Sequence, residues 1–194
     1  MNISAAILAG GKGSRMGNIR KEFISFEGTT LLGRMFEVLR PVFAEILLVS
    51  NEDQKLYNGF GIDKIVPDTF PGKGPLAGIH AALINTTGYV FIFACDLPKL
   101  DIAFILQQIR QLHAGQDALV PRHKNGIEPL HAIYSQSCVE PAAKVLSQNN
   151  HPAIREMLDL VNTRYWDIPK NDSFANINSI DDLTKWERRM IPKQ

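Results

Sequence analysis

The sequence has few cysteines and no long apolar run, and each absence narrows the class of protein. Its two cysteines, Cys95 and Cys138, lie far apart and lack the spacing of metal ligands. A disulfide framework is therefore not predicted, and we interpret Cys95, in an apolar segment, as a reduced core thiol. The segment MNISAAILAGG has no basic residue before its apolar run, and no stretch reaches the roughly 18 apolar residues of a membrane span. These features predict a cytoplasmic protein with no membrane partner.

An excess of charge of either sign is also missing. Lys and Arg number 21 against 20 Asp and Glu, so the formal net charge is +1. Overall charge therefore provides no attraction for nucleic acid, and no nucleic-acid partner is predicted. Any anion must be bound by a local arrangement of residues. The length and the 45% apolar content predict one globular domain over residues 1–194.

Short apolar runs alternate with helical patterns along the chain. Strands are predicted at residues 4–8, 46–49, 64–66, 90–94, 118–121 and 130–134. Helices are predicted at residues 32–39, 79–84, 102–112, 139–146 and 154–160, with a last helix from 179 to about 190. Residues 90–94 are continuously apolar, which is typical of a central strand that is buried on both faces. The alternation predicts a three-layer, Rossmann-like α/β fold with a mostly parallel central sheet.

The loop after the first predicted strand is rich in glycine and in cations. The segment ILAGGKGSRMG covers residues 7–17 and contains four glycines. Glycines in such a turn let backbone N–H groups converge on phosphate oxygens. Arg15 can hold a phosphate with two hydrogen bonds, and Lys12 and Lys21 add positive charge. The alternative is a glycine-rich surface turn with incidental basic residues.

Spacing excludes two common phosphate loops at this position. A Walker A loop needs Ser or Thr after Gly-Lys, whereas Gly13 follows Lys12 here. A dinucleotide fingerprint needs G-x-G-x-x-G, but the distance from Gly13 to Gly17 is one residue too long. The loop is therefore predicted to bind phosphate in a third way.

Asp96 follows the most apolar predicted strand. In open α/β sheets, ligands bind outside the carboxyl ends of the strands. A carboxylate buried there without a partner is costly, and Mg²⁺ bound to nucleotide phosphates supplies one. Asp96 is thus a candidate metal ligand. The alternative is that Asp96 caps the turn at Leu97 and Pro98, and the two roles are compatible.

Other polar residues have ambiguous roles when the sequence alone is considered. Asp68 fits an Asx turn as well as a ribose contact, and Asn51 ends the second strand. Asn178 fits either a site or the turn before the last helix. The histidines lack ligand spacing, and we interpret His80 and His131 as structural or rim residues.

Four motifs occur in a fixed order along most of the chain. They are LAGGKGSRMG at residues 8–17 with Lys21 four residues later, PD at 67–68 with GPLAG at 74–78, CDLP at 95–98, and NIN at 176–178. Together they resemble the signature of the MobA-type nucleotidyltransferases. One position departs from it, because the family often has an acidic residue before the loop lysine and this sequence has Arg20. The departure bears on the acceptor more than on the phosphate chemistry.

The resemblance implies a nucleotidyltransferase fold and a role for each matching residue. The implied nucleotide-binding residues are Leu8, Ala9, Gly10, Gly11, Lys21, Asn51, Asp68 and Asp96. The main chain of Leu8, Ala9 and Gly10 would line the nucleotide, Asn51 and Asp68 would lie near the nucleoside, and Asp96 would hold Mg²⁺. Arg15, Lys21 and Asp96 are the candidate catalytic residues. Asn176 and Asn178 are weaker candidates for the acceptor side.

The resemblance also implies a reaction. GMP would pass from GTP to the phosphate of molybdenum-loaded molybdopterin, with release of pyrophosphate, and molybdoenzymes or delivery proteins would receive the product. Such chemistry depends on positioning and charge neutralisation. Spacing alone does not select guanine, although Ala-Gly-Gly in the first motif favours it by resemblance. Cytidylyltransferases, sugar-phosphate nucleotidyltransferases and a nucleotide-binding delivery protein without turnover are the alternatives.

Overall fold

The predicted alternation of strands and helices is present in the structure, a computed structural model. It describes residues 2–9, 15–16, 19–26, 28–97 and 100–168, with the main chain alone for residues 15, 16, 19 and 26. The strands are β1 Ile3–Leu8, β2 Arg15–Met16, β3 Ile19–Arg20, β4 Ser25–Phe26, β5 Thr29–Thr30, β6 Ile46–Val49, β7 Lys64–Val66, β8 Tyr89–Ala94, β9 Ala118–His123, β10 Gly126–Ile127, β11 His131–Ser135 and β12 Thr163–Asp167. The helices are α1 Leu31–Leu39, α2 Pro75–Ile84, α3 Ile102–Arg110, α4 Val139–Gln148 and α5 Ile154–Leu158.

In the described part of the chain, eight strands form the central sheet. Its order is β7-β6-β1-β8-β11-β9-β12, and β10 pairs with the end of β9. The strands β7, β6, β1 and β8 are parallel, β11 is antiparallel to β8, and β9 is antiparallel to β11. As a result β9 and β12 run in the same direction as β8. The predicted, mostly parallel sheet is confirmed.

The central position predicted for β8 is confirmed by its register and burial. Ile92 pairs with Ala6 of β1 on one side and with Ala132 of β11 on the other. All side chains from Val90 to Phe93 are fully buried, since both faces of the strand are covered by helices. The turn that follows β8 is therefore fixed to the most rigid part of the sheet.

Helices cover both faces of the sheet. The helices α2, α4 and α5 pack on one face of β1, β8 and β9. The helices α1 and α3 pack on the opposite face of the same strands. The apolar residues Leu32, Met35, Phe36 and Leu39 of α1 are buried. The Thr30 hydroxyl caps that helix by accepting from the Gly33 N–H at 3.0 Å. Asp101 caps α3 by accepting from the N–H groups of Ala103 and Phe104. In the described ranges no helix is both long and apolar enough to cross a bilayer.

Two parts of the sequence-based fold prediction need correction. The strand β12 was not predicted, although TRYWD contains the β-branched and aromatic residues that favour strands. Residues 122–128, for which no strand was predicted, form most of a hairpin in which β9 pairs with β10. Hydrogen bonding along the sheet edge overrides the polar composition of the segment. The predicted helix after residue 179 lies outside the described residues.

His131 is a buried structural residue, as the sequence suggested. Its Nδ1 lies 3.1 Å from the amide oxygen of Gln108, whose Nε2 donates to the His131 carbonyl group. The imidazole ring meets Phe91 and Phe93 edge-on, at centroid distances of 5.0 and 5.2 Å. Burial lowers the pKa of His131 from 6.5 to about 4.

We expect His131 to make the fold sensitive to acid. A histidine with a lowered pKa contributes stability that is fully present above its unfolded pKa of 6.5 and is lost as the pH falls toward 4. Over that window the loss is about 3 kcal/mol, since one pKa unit corresponds to about 1.4 kcal/mol. Titration of the imidazole by NMR checks the prediction directly in the native chain. A midpoint near 6.5 contradicts it.

Candidate active site

The carboxyl ends of the four parallel strands meet at one edge of the sheet. Backbone hydrogen bonds join them beyond the strands: Ala9 N–H donates to Val49 at 2.9 Å, and Cys95 N–H donates to Leu8 at 3.2 Å. The residues that follow β1, β6, β7 and β8 are therefore neighbours. This edge collects Ala9, Asn51, Asp68 and Asp96, which come from distant parts of the chain.

Lys21 and Asp96 form an ion pair at this edge. The Lys21 Nζ lies 3.6 Å from Oδ2 of Asp96, and the two side chains are only 8% and 19% exposed. Lys21 opens a 3₁₀ turn, Lys21–Phe23, just after the loop that follows β1. The structure thus brings together the lysine and the aspartate that the sequence singled out.

The other oxygen of Asp96 marks a position for a cation. Oδ1 is buried and has no hydrogen-bond partner among the described residues. A buried carboxylate oxygen is costly to leave in this state. No group of three or more His, Cys, Asp or Glu side chains in the described ranges forms a metal site. The arrangement fits Mg²⁺, which needs only one or two protein carboxylates when phosphates and waters complete its shell.

Asn51 and Asp68 are in direct contact. The Asp68 N–H donates to Oδ1 of Asn51 at 2.8 Å, and Oδ1 of Asp68 accepts from the Phe70 N–H at 2.8 Å. The second bond is the Asx turn that the sequence allowed. Burial raises the pKa of Asp68. These bonds give the two residues a defined position at the carboxyl edge of the sheet.

The GPLAG motif has a physical basis in its two glycines. Gly74, which precedes α2, has a φ of +72°, a conformation that favours glycine. A Cβ atom at Gly78 would lie 3.2 Å from both terminal methyl carbons of Leu8. Glycine at this position therefore allows α2 to approach the end of β1 closely, where the phosphate loop begins.

Other predicted site residues are only partly described. Leu8 and Ala9 continue the sheet through the backbone bonds given above. The main chain of Arg15 pairs with Arg20 in the small ribbon of β2 and β3. Gly10, Gly11, Asn176 and Asn178 lie outside the described residues.

The structure also reveals contacts that the sequence did not. Arg20 forms an ion pair with Glu52, and Glu22 is buried against Tyr57. Burial raises the pKa of Glu22. The charged run Arg20, Lys21, Glu22 is visible in the sequence and indicates that these residues have charged or polar partners. The sequence could not identify those partners because they are distant in the chain: Arg20 and Glu52, for example, are 32 positions apart.

A second polar group lies on the same edge, at the far side of β8. The ends of β9 and β12 carry an ion pair in which Arg122 contacts Asp167 at 2.6 Å. His123 Nδ1 accepts from the Asn125 N–H at 3.1 Å, while its Nε2 lies 2.6 Å from Glu128. Since Nδ1 accepts, Nε2 carries the proton and donates to the carboxylate.

Comparison with known proteins gives the class to which this fold and site belong: the chain is a nucleotidyltransferase. It belongs to the MobA-like NTP transferase family, whose domain model matches residues 5–163. It is 35% identical over 153 residues to a probable molybdenum cofactor guanylyltransferase of Clostridium perfringens, covering 78% of this chain and 75% of that protein. It is 33% identical over 193 residues to a molybdenum cofactor guanylyltransferase of Desulfosudis oleivorans, covering 95% and 94%.

A solved structure supports the same assignment. Molybdopterin-guanine dinucleotide biosynthesis protein A from Archaeoglobus fulgidus superposes with a TM-score of 0.79 at 28% identity. The match covers 96% of this chain and 97% of that protein. The similarity therefore includes both halves of the sheet and the edge that carries the site.

Proposed function

We propose that this protein transfers GMP from GTP to the phosphate of molybdenum-loaded molybdopterin and releases pyrophosphate. The observation that carries the proposal is the buried Lys21–Asp96 pair at the carboxyl edge, directly beyond the glycine-rich loop. The names of the relatives supply the base and the acceptor. The site supplies the chemistry of phosphate binding and nucleotidyl transfer.

In the proposed reaction an oxygen of the acceptor phosphate attacks the α-phosphorus of GTP in line with the leaving pyrophosphate. The new bond joins that oxygen to the α-phosphorus, and the bond from the α-phosphorus to the bridging oxygen breaks. Lys21 offsets negative charge that develops on the phosphates, and Arg15 is proposed to contact the leaving group. Asp96 would hold Mg²⁺, which when bound neutralises phosphate charge and orients the phosphate chain.

The position of the nucleotide follows from the same geometry. Asn51 and Asp68 lie at the ends of β6 and β7, so the nucleoside is proposed to lie on that side of the phosphate loop. The acceptor is then proposed to approach over β11, β9 and β12, the half of the edge that the nucleoside does not occupy. The His123–Glu128 pair lies in that half of the edge. Asn176 and Asn178 are proposed to contribute to the acceptor side as well.

Pyrophosphate release tests the proposal. Each of the four NTPs is supplied with Mg²⁺ and molybdenum-loaded molybdopterin, and we expect release with GTP that depends on the acceptor. A thermal-shift series with the same NTPs measures binding separately, because a ligand bound only by the native state raises its stability. Equal binding of all four NTPs contradicts the base assignment. Release with CTP or with a sugar phosphate selects another transferase, and binding without turnover indicates a delivery protein.

A further inference from the structure

The neighbours of Lys21 and the neighbours of Asn51 bind each other. Lys21 stands between Arg20 and Glu22, and Asn51 stands between Ser50 and Glu52. The segments are separated by about 30 residues of chain and come from different loops: one follows the glycine-rich loop and the other follows β6. Both flanks are linked by side-chain contacts, which we call the outer and the inner contact.

The outer contact is the ion pair between Arg20 Nη2 and Glu52 Oε2. The two side chains are 23% and 30% exposed, so the pair is partly shielded from solvent. In addition, Nη1 of Arg20 is buried and has no hydrogen-bond partner among the described residues. The guanidinium group of Arg20 is therefore turned toward the Glu52 loop, while the next side chain, Lys21, reaches Asp96.

The inner contact runs through Tyr57. Its hydroxyl group lies 2.8 Å from Oγ of Ser50 and 3.4 Å from Oε1 of Glu22. Glu22, Ser50 and Tyr57 are 1%, 5% and 2% exposed. The Tyr57 ring also stacks on Phe23, with centroids 5.6 Å apart. The segment after Lys21 is therefore packed and hydrogen-bonded against the segment before Asn51.

We propose that these two contacts form a clasp that couples Lys21, on the phosphate side, to Asn51, on the nucleoside side. Arg20, Glu52, Glu22 and Tyr57 are then positioning residues that act through Lys21 and Asn51. The inference rests on the proposed roles of Lys21 and Asn51 in nucleotide transfer. A clasp on both flanks limits rotation of the 3₁₀ turn, which keeps the Lys21 ammonium group beside Asp96. It also explains why a basic residue precedes Lys21, since its partner is Glu52 rather than the acceptor.

Charge reversal tests the outer contact. We expect Arg20→Glu and Glu52→Arg each to lower kcat for pyrophosphate release about 10-fold or more, because small displacements of a positioning group are costly in rate. We expect the double variant Arg20→Glu/Glu52→Arg to recover most of that loss. The nucleotide-induced thermal shift should fall in both single variants and return in the double variant. The control is Arg40→Glu, which reverses one charge of the remote Arg40–Asp63 ion pair in the same way. This variant should leave kcat unchanged.

The inner contact is tested with Tyr57→Phe, which removes the hydroxyl group and keeps the ring on Phe23. We expect a decrease in kcat of several-fold with the same KM for GTP, since the change breaks the hydroxyl contacts to Ser50 and Glu22 and keeps the packing of the ring. If the single charge reversals are silent, or if the double variant is no better than either, the clasp is wrong. If the clasp fails in this way but the wild-type chain binds and turns over nucleotide, the proposed function still stands. A wild-type chain that does neither overturns both.

Discussion

Replacement of Asp96 by Asn is expected to lower the rate of pyrophosphate release by at least about 10²-fold, the usual loss when one group that stabilises transition-state charge is removed. Asn has nearly the same shape but no charge, so the buried Oδ1 position no longer attracts a cation. GTP binding without metal should change only a few-fold, because the phosphate loop does not depend on this carboxylate. Rates with Mg²⁺ and binding in a chelator check both parts.

The matched control for this variant is Asp159→Asn. Asp159 is exposed at the end of α5, remote from the carboxyl edge, and the same change of charge there should leave both rate and binding unaltered. Thermal unfolding of both variants shows whether the fold is retained. If the Asp96→Asn variant is folded and releases pyrophosphate at the wild-type rate, Asp96 only caps the turn and does not take part in the reaction.

Removal of the Lys21 charge is the second change with a large expected effect. We expect Lys21→Met, which retains the apolar stem in its buried position, to lower kcat about 10²-fold with Arg20 intact. Lys21→Ala should lower it at least as much and also destabilise the fold, since it removes the packing of the stem. Both variants leave Asp96 without its cationic partner. Pyrophosphate release gives the rates, and denaturant unfolding gives the stabilities.

Lys144→Ala provides the control for Lys21, because Lys144 is an exposed residue of α4. It should retain the wild-type rate. Arg20→Ala provides the comparison within the loop, and its loss should be smaller than that of either Lys21 variant, since Arg20 contacts Glu52 and not Asp96. A silent Lys21→Ala beside an inactive Arg20→Ala would mean that the catalytic cation is Arg20.

The site explains how an almost uncharged protein binds polyanionic substrates. The net charge is +1, but Lys21 lies at the carboxyl edge of the sheet, and the glycine-rich loop precedes it in the sequence. A shielded ammonium group interacts more strongly with an anion than an exposed one does, because solvent screens it less. The sequence predicted that any anion must be bound by a local arrangement of residues. The position of Lys21 at this edge is consistent with that prediction.

Local patterns were sufficient to predict most of the fold. The apolar run of β8 and the periodicity of α1 and α3 each depend on residues a few positions apart, and each of these elements is present as predicted. The strand β12 was missed because Arg164 and Asp167 interrupt its apolar residues and its pairing partner, β9, lies about 45 residues earlier, as the Arg122–Asp167 contact shows. Its stability comes from that partner and not from a pattern of its own.

The sequence by itself determined the class of fold, which follows from side-chain periodicity. It also predicted a phosphate loop and Asp96 as a candidate ligand, from residue types at strand ends. Only the tertiary structure decided which charges meet. Lys21 and Arg20 are adjacent cations in the sequence, yet one contacts Asp96 and the other Glu52. Adjacent side chains point in different directions, and the partners of each are placed by the sheet, whose register brings distant loops to one edge.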